Sequence, residues 1–358
     1  MNHNLSNPKL WREKSVKNTN RTNVLIVNSD SRFRRESTTT MNRAKDWFDR
    51  GDKEYNLKDY RGAIADYTKA ISLNPDDELA YYSRGKAKFH LKDYQGAIAD
   101  YTKAISLKPL FAFAYCEGGN AKDNIRDHQG AIADFNKAIG LRAEYADAYN
   151  YRGRAKSHLK DYQGAIADFN KAIGLRPGYA DAYNYRGVAK NNVKDYQGAV
   201  DDHSMAIKLK PDDVLAYFDR GVAKSHLKDY RGAIADFTKA ISLNSDFAFA
   251  YSYRGIAKNN VKDFEGAIED HSIAIRLKPD YASAYYNRGE VYLKIAHKSK
   301  ARADFTKAQE CGLRVPSEVL DKCEELSDQP SSEVAGDYRL QVSTKPSFSS
   351  TEGSNQKE

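Results

Sequence analysis

Residues 146–179 read ADAYNYRGRAKSHLKDYQGAIADFNKAIGLRPGY, and their apolar positions follow two helical registers in succession. Ala148, Tyr149, Ala155 and Leu159 recur at helical spacing with charged and amide side chains between them, which predicts an amphipathic helix. Asp161 then offers an N-cap oxygen to a second helix, whose Ala165, Phe169 and Ala172 share one face. Pro177 cannot continue that helix and turns the chain. The stretch predicts a helical hairpin followed by a turn.

The hairpin repeats. Gly51, Gly85, Gly119, Gly153, Gly187, Gly221, Gly255 and Gly289 stand 34 residues apart. Ala63, Ala97, Ala131, Ala165, Ala199, Ala233, Ala267 and Ala301 keep the same step, as do Ala70, Ala104, Ala138, Ala172, Ala206, Ala240, Ala274 and Ala308. Glycine and alanine are small where two helix backbones approach closely. The units run 44–77, 78–111, 112–145, 146–179, 180–213, 214–247, 248–281 and 282–315. The expectation is an all-α chain of sixteen antiparallel helices in eight hairpins, without strands.

With positions counted from the start of each unit, Gly falls at eight, Ala at twenty, an aromatic at twenty-four, Ala at twenty-seven and Pro at thirty-two. This pattern resembles the tetratricopeptide repeat, over residues 44–315. The resemblance implies an α–α superhelix, a right-handed solenoid, with a closing helix within 316–326. Three units replace the final Pro, by Ala143, Leu313 and Ser245, and two replace the aromatic, by His203 and His271. Residues 1–43 and 327–358 carry no helical period and are expected to be disordered.

Charge changes the picture at one place. The family usually carries apolar residues at positions seven and eleven, where this chain repeats Arg152 and Lys156, Arg186 and Lys190, Arg220 and Lys224, and Arg254 and Lys258. Such a stripe could follow a phosphate backbone. Asp at position twenty-three of every unit gives the other reading, in which each Arg meets an Asp of its own or the next hairpin in a bidentate pair. His203 and His271 lie two units apart, too far to converge on a metal, and are expected to be packed and hydrogen-bonded. The single glycines at position nineteen read as tolerated near a helix start.

The resemblance places positions two, five, six, nine, twelve and thirteen of the first helices on the concave side, where a partner would be read. Position nine supplies Lys86, Asn120 and Arg154, then turns aliphatic at Val188, Val222 and Ile256. Positions five and six supply Asn150, Tyr151, Asn184, Tyr185 and Tyr253. Positions twelve and thirteen supply Asn124, Asn191, Asn192, Asn259 and Asn260, with His158 and His226 in alternate units. Tyrosine and asparagine suit an extended peptide, because an amide can bond its backbone and a phenol adds area at low entropic cost. The tyrosines are expected to be accessible beside the asparagines. The carboxylate clamp by which one subfamily holds chaperone tails is absent, since position five never holds Lys and position six holds Asn only at Asn287.

Composition narrows the function classes. The net charge of +8 comprises +5 in residues 1–40, −2 in 327–358 and +5 over everything between, too little to mark a nucleic-acid-binding domain by bulk charge. An RNA-binding helical repeat is nevertheless the alternative, on the mildly basic early groove with its interleaved tyrosines. Three scattered cysteines fit a reducing compartment, and no apolar run reaches the roughly 20 residues of a membrane helix. Residues 1–40 loosely resemble an organelle transit peptide, or form an extension of little consequence ahead of Met41. The expectation is a cytoplasmic adaptor binding a protein or peptide segment, with no membrane insertion, no cofactor, no metal and no catalysis.

Overall fold

The computed structural model describes residues 30–324. The chain divides into two compact units, residues 1–159 and 160–358. The first holds α1 (Asp30–Asn56), α2 (Tyr60–Leu73), α3 (Glu78–His90), α4 (Tyr94–Leu107), α5 (Ala112–Asn124), α6 (His128–Leu141) and α7 (Ala146–His158). The second holds α8 (Tyr162–Leu175), α9 (Ala180–Asn192), α10 (Tyr196–Leu209), α11 (Val214–His226), α12 (Tyr230–Leu243), α13 (Ala248–Asn260), α14 (Phe264–Leu277), α15 (Ala282–Lys294), α16 (Lys298–Glu310) and α17 (Ser317–Glu324). No strand occurs among the described residues. The fold is all-α, a solenoid of consecutive helix hairpins.

Each hairpin closes on a small residue. A Cβ at Gly221 would lie 2.7 Å from the Phe237 ring, and one at Gly85 would lie 2.8 Å from the Tyr101 ring. Glycine at position eight thus seats the ring of position twenty-four against the first helix. The alanines of positions twenty and twenty-seven are buried around it in both units.

In seven of the eight hairpins the bend is a left-handed Lys or Arg followed by a capping Asp, and the eighth has Ala296 and His297, which makes no side-chain cap. Lys92 adopts a left-handed φ of 62°, its N–H donates to the Phe89 carbonyl at 2.9 Å, and the Asp93 N–H donates to the Lys88 carbonyl at 2.9 Å. This is a Schellman cap with lysine where glycine usually sits. Asp93 then caps α4 by accepting from the Gly96 N–H at 2.9 Å. Asp195 does the same for α10 through Gly198.

Two expectations change here. The position-nineteen glycines give the cap room, because a Cβ at Gly198 would stand 2.2 Å from the Asp195 carboxylate and one at Gly96 equally close to Asp93, so that the capping side chain would have to shift. Residues 30–43 are helical, since α1 starts at Asp30 and no Gly or Pro between 31 and 50 interrupts it. The remainder of both expected disordered segments lies outside the described residues.

Candidate interaction surfaces on the first helices

The basic stripe of positions seven and eleven is turned inward onto aspartate. Arg84 Nη2 meets Asp100 at 2.6 Å and Lys88 Nζ meets the other carboxylate oxygen at 2.8 Å. Arg186 pairs with Asp202 at 2.5 Å, Arg220 with Asp236 at 2.6 Å and Arg254 with Asp270 at 2.7 Å, each with its lysine alongside. The free Nη1 of each guanidinium reaches the preceding hairpin. Arg186 donates to Asn170 Oδ1, Arg220 to Ser204 Oγ and Arg254 to Thr238 Oγ1. Arg152 donates in the same way to Asn136 Oδ1 at 2.6 Å. These arginines join neighbouring hairpins and do not form an open track for phosphates.

His203 and His271 are sealed in hairpin interiors, where burial pushes both down to about 3. His203 Nδ1 donates to Asn184 Oδ1 at 2.8 Å. His271 is packed, but neither ring nitrogen finds a hydrogen-bond partner, against the expectation of a bonded histidine. Among the described residues no group of three or more His, Cys, Asp or Glu could hold a metal ion.

In the first unit the exposed face of the first helices is largely closed by its own side chains. Arg154 donates from Nε to Asp123 Oδ2 at 3.0 Å and from Nη2 to Asn120 Oδ1 at 2.7 Å. The other Asp123 oxygen lies 2.6 Å from His128 Nδ1, and the His128 ring stacks on His158 at 4.8 Å. Asn124 donates back to the Asn120 carbonyl. Lys86 lies 4.9 Å from the Tyr55 ring centroid, and burial lowers its pKa. Burial raises that of Glu117, with Lys86 opposing. Tyr151 is half-buried, 6.0 Å from Phe135.

The second unit leaves more on offer. Tyr185 is half-buried, 6.1 Å from Phe169, and Tyr253 is half-buried, 5.2 Å from Phe218. Asn191 Oδ1 is buried without a hydrogen-bond partner, whereas Asn259 Oδ1 accepts from Lys294 at 3.1 Å. Asn192 and Asn260 donate back to the Val188 and Ile256 carbonyls at 2.7 and 2.9 Å. His226 is exposed yet stacked on Tyr196, 4.5 Å away and nearly parallel. Asp219, half-buried at position six, has its carboxyl pushed up to about 7 by burial, with Asp213 adding repulsion.

Position five is a correction. Asn150 and Asn184, expected beside exposed tyrosines, are only 2% and 8% accessible, and Asn120 at position nine is also buried. Position five faces the hairpin interior, where Asn184 meets His203. Sequence reasoning missed Asp123 and Glu117. Asp123 is the one acid at position twelve in the eight units, and that singularity was visible.

The alternation of His and Asn at position thirteen acquires a physical meaning. His90 stacks on Tyr60 at 4.5 Å, His158 on His128 and His226 on Tyr196, each meeting position seventeen of the preceding hairpin. Asparagine at the same position turns back onto its own helix.

Family profiles described as tetratricopeptide repeat match residues 51–92 and 262–295, 79–110, 116–180, and 214–247 and 282–310. No curated protein matches the chain. Among solved structures, the APC/C hetero-tetramer Cut9-Hcn1 is similar with a TM-score of 0.57 at 16% identity, over 77% of this chain and 55% of that one. A tetratricopeptide repeat protein from Parabacteroides merdae gives 0.53 at 18%, over 69% and 99%. MamA is 29% identical over 45% of this chain and 94% of its own, with a TM-score of 0.42. No helix among the described residues is long and apolar enough to cross a membrane. The repeated profile matches and the hairpin architecture agree: the chain belongs to the tetratricopeptide repeat family.

Proposed function

We propose that this interaction scaffold takes up an extended protein segment on the first-helix face of residues 180–294. The observation that carries the reading is the contrast between the two units. In the first, Arg154, Asp123, Asn120 and His128 satisfy one another. In the second, half-buried Tyr185 and Tyr253 share helix register with Asn191, whose amide oxygen is buried without a partner, and position nine is aliphatic at Val188, Val222 and Ile256. An apolar floor with a waiting polar group suits a segment that brings both side chains and backbone. The reading involves no cofactor and no catalysis. The RNA alternative loses support because Asp residues engage the stripe arginines and Asp123 engages Arg154.

Selection from a random linear-peptide display library tests it. Wild type should enrich related sequences, and Tyr185→Ala with Asn191→Ala should abolish the enrichment while leaving the thermal midpoint within a few degrees. Equal enrichment by the double variant would move the site off this face. No enrichment by wild type, together with RNA binding that weakens steeply with salt, would favour the nucleic-acid reading.

A further inference from the structure

Seven of the eight units carry Arg at position seven, and the third carries Gly118. Elsewhere the guanidinium has a fixed set of receivers. Arg84 meets Asp100 through Nε and Nη2 at 2.9 and 2.6 Å, Thr68 Oγ1 of the preceding hairpin at 3.1 Å, and the Tyr81 ring at 5.5 Å. Arg254 meets Asp270, Thr238 and Tyr251 in the same way.

At the third unit the equivalent receivers remain, as Asp134, Thr102 and Tyr115, and they line a cavity of 180 Å³. That is several times the roughly 30 Å³ a water molecule occupies in the liquid. Asp134 keeps its lysine, Lys122, at 2.7 Å, but lacks the second cation that Asp100 and Asp270 have. Its side chain is 16% accessible, against 5% and 1% for those two. Burial holds its pKa up even with Lys122 beside it. Packing does not demand glycine here. A Cβ at Gly118 would meet Asp134 at 3.5 Å and Tyr101 at 3.6 Å, ordinary contacts, and its φ is not in the left-handed region.

The geometry points to a socket that receives an arginine side chain from a partner protein. A guanidinium there would restore the charge balance of the sibling units, one carboxylate to two cations. Its planar fork reaches the carboxylate and the threonine hydroxyl together while its face lies against Tyr115. A second ammonium has no such fork, and a neutral isostere leaves the carboxylate with Lys122 alone. Position seven lies on the far side of the first helix from position nine, so the socket is independent of the peptide face proposed above.

The test uses the full chain, isotope-labelled for NMR, and three probes: Nα-acetyl-arginine methylamide and its lysine and citrulline counterparts. The arginine probe should shift amides between residues 98 and 134 saturably, about tenfold more tightly than citrulline, as expected for charge-assisted bonds. Gly118→Arg should fill the socket from within, abolish those shifts and raise the melting temperature. Gly118→Ala should keep them, and Asp134→Asn should lose them, so the outcome does not hang on one variant folding. Equal binding of arginine and citrulline, persistence in Asp134→Asn, or no saturable shift in wild type would overturn the proposal. Much tighter binding of free arginine than of the blocked probe would overturn the partner side chain in favour of the amino acid itself.

Discussion

His271 stands where four other units place a phenylalanine, and its two ring nitrogens are buried without partners. An unsatisfied buried polar group costs about 1–3 kcal/mol, so His271→Phe should raise the unfolding free energy read from urea titration by a comparable amount. The pH dependence has a definite sign. His203 and His271 stay neutral in the fold down to about 3, while the unfolded chain takes up protons near 6.5. Their contribution is complete above that value and is lost as pH falls toward 3, by about 1.4 kcal/mol per pH unit for each histidine. The double variant His203→Phe with His271→Phe should flatten this slope between pH 7 and 5, and an unchanged slope in urea titrations would refute the assignment. Asp219 runs the other way. Its carboxyl is held up at about 7 against an ordinary value near 3.8, so the cost of charging it is complete above pH 7 and vanishes below about 4. Asp219→Asn should therefore stabilise at pH 8 and make no difference at pH 4, as read by the same titrations. The exchange of ring for imidazole was legible in the sequence. The missing partner was not, because it depends on whether position five offers an amide, as Asn184 does, or the short Ser252.

At the scale of the hairpin, local rules conflict and magnitudes decide. Alanine usually improves on glycine in a helix by roughly 0.5–1 kcal/mol. At Gly198 the added Cβ displaces the Asp195 carboxylate, whose cap is worth about 0.5–2 kcal/mol. Gly198→Ala should thus destabilise by about 0.5 kcal/mol on balance, and a higher melting temperature would contradict the clash. The bend behaves in the opposite sense. Lys228 is exposed at a left-handed φ of 64°, a conformation that disfavours side chains with a Cβ, so Lys228→Gly should stabilise by about 0.5–1 kcal/mol in a thermal melt. The sequence revealed the hairpin, its small closing residues and its capping aspartate, since each follows from local periodicity. It did not reveal why glycine follows the cap by three residues, because that depends on the carboxylate's path over the first turn.

Across the molecule, a strict repeat makes the architecture the most legible property, while the candidate surface was legible only in outline. Tyr185 and Tyr253 keep part of their surface open, but Asn150 and Asn184 turned inward, because one residue along a helix rotates a side chain by about a quarter-turn or more. Stability in such an array is approximately a sum of hairpins and the joints between them. The arginine of position seven is the polar bolt of each joint, tied to its own aspartate and to the hairpin before it. Between the second and third hairpins that bolt is missing, because Gly118 reaches neither Asp134 nor Thr102. Joints in series do not share a load equally; the weakest yields first. Pulled from its two ends, the chain should part ahead of Gly118, releasing residues 44–111 as one block before the rest unravels. In optical-tweezer traces Gly118→Arg should raise the force of that first step, and the same variant should leave later steps where they were. A single missing side chain would then set where the array opens under tension.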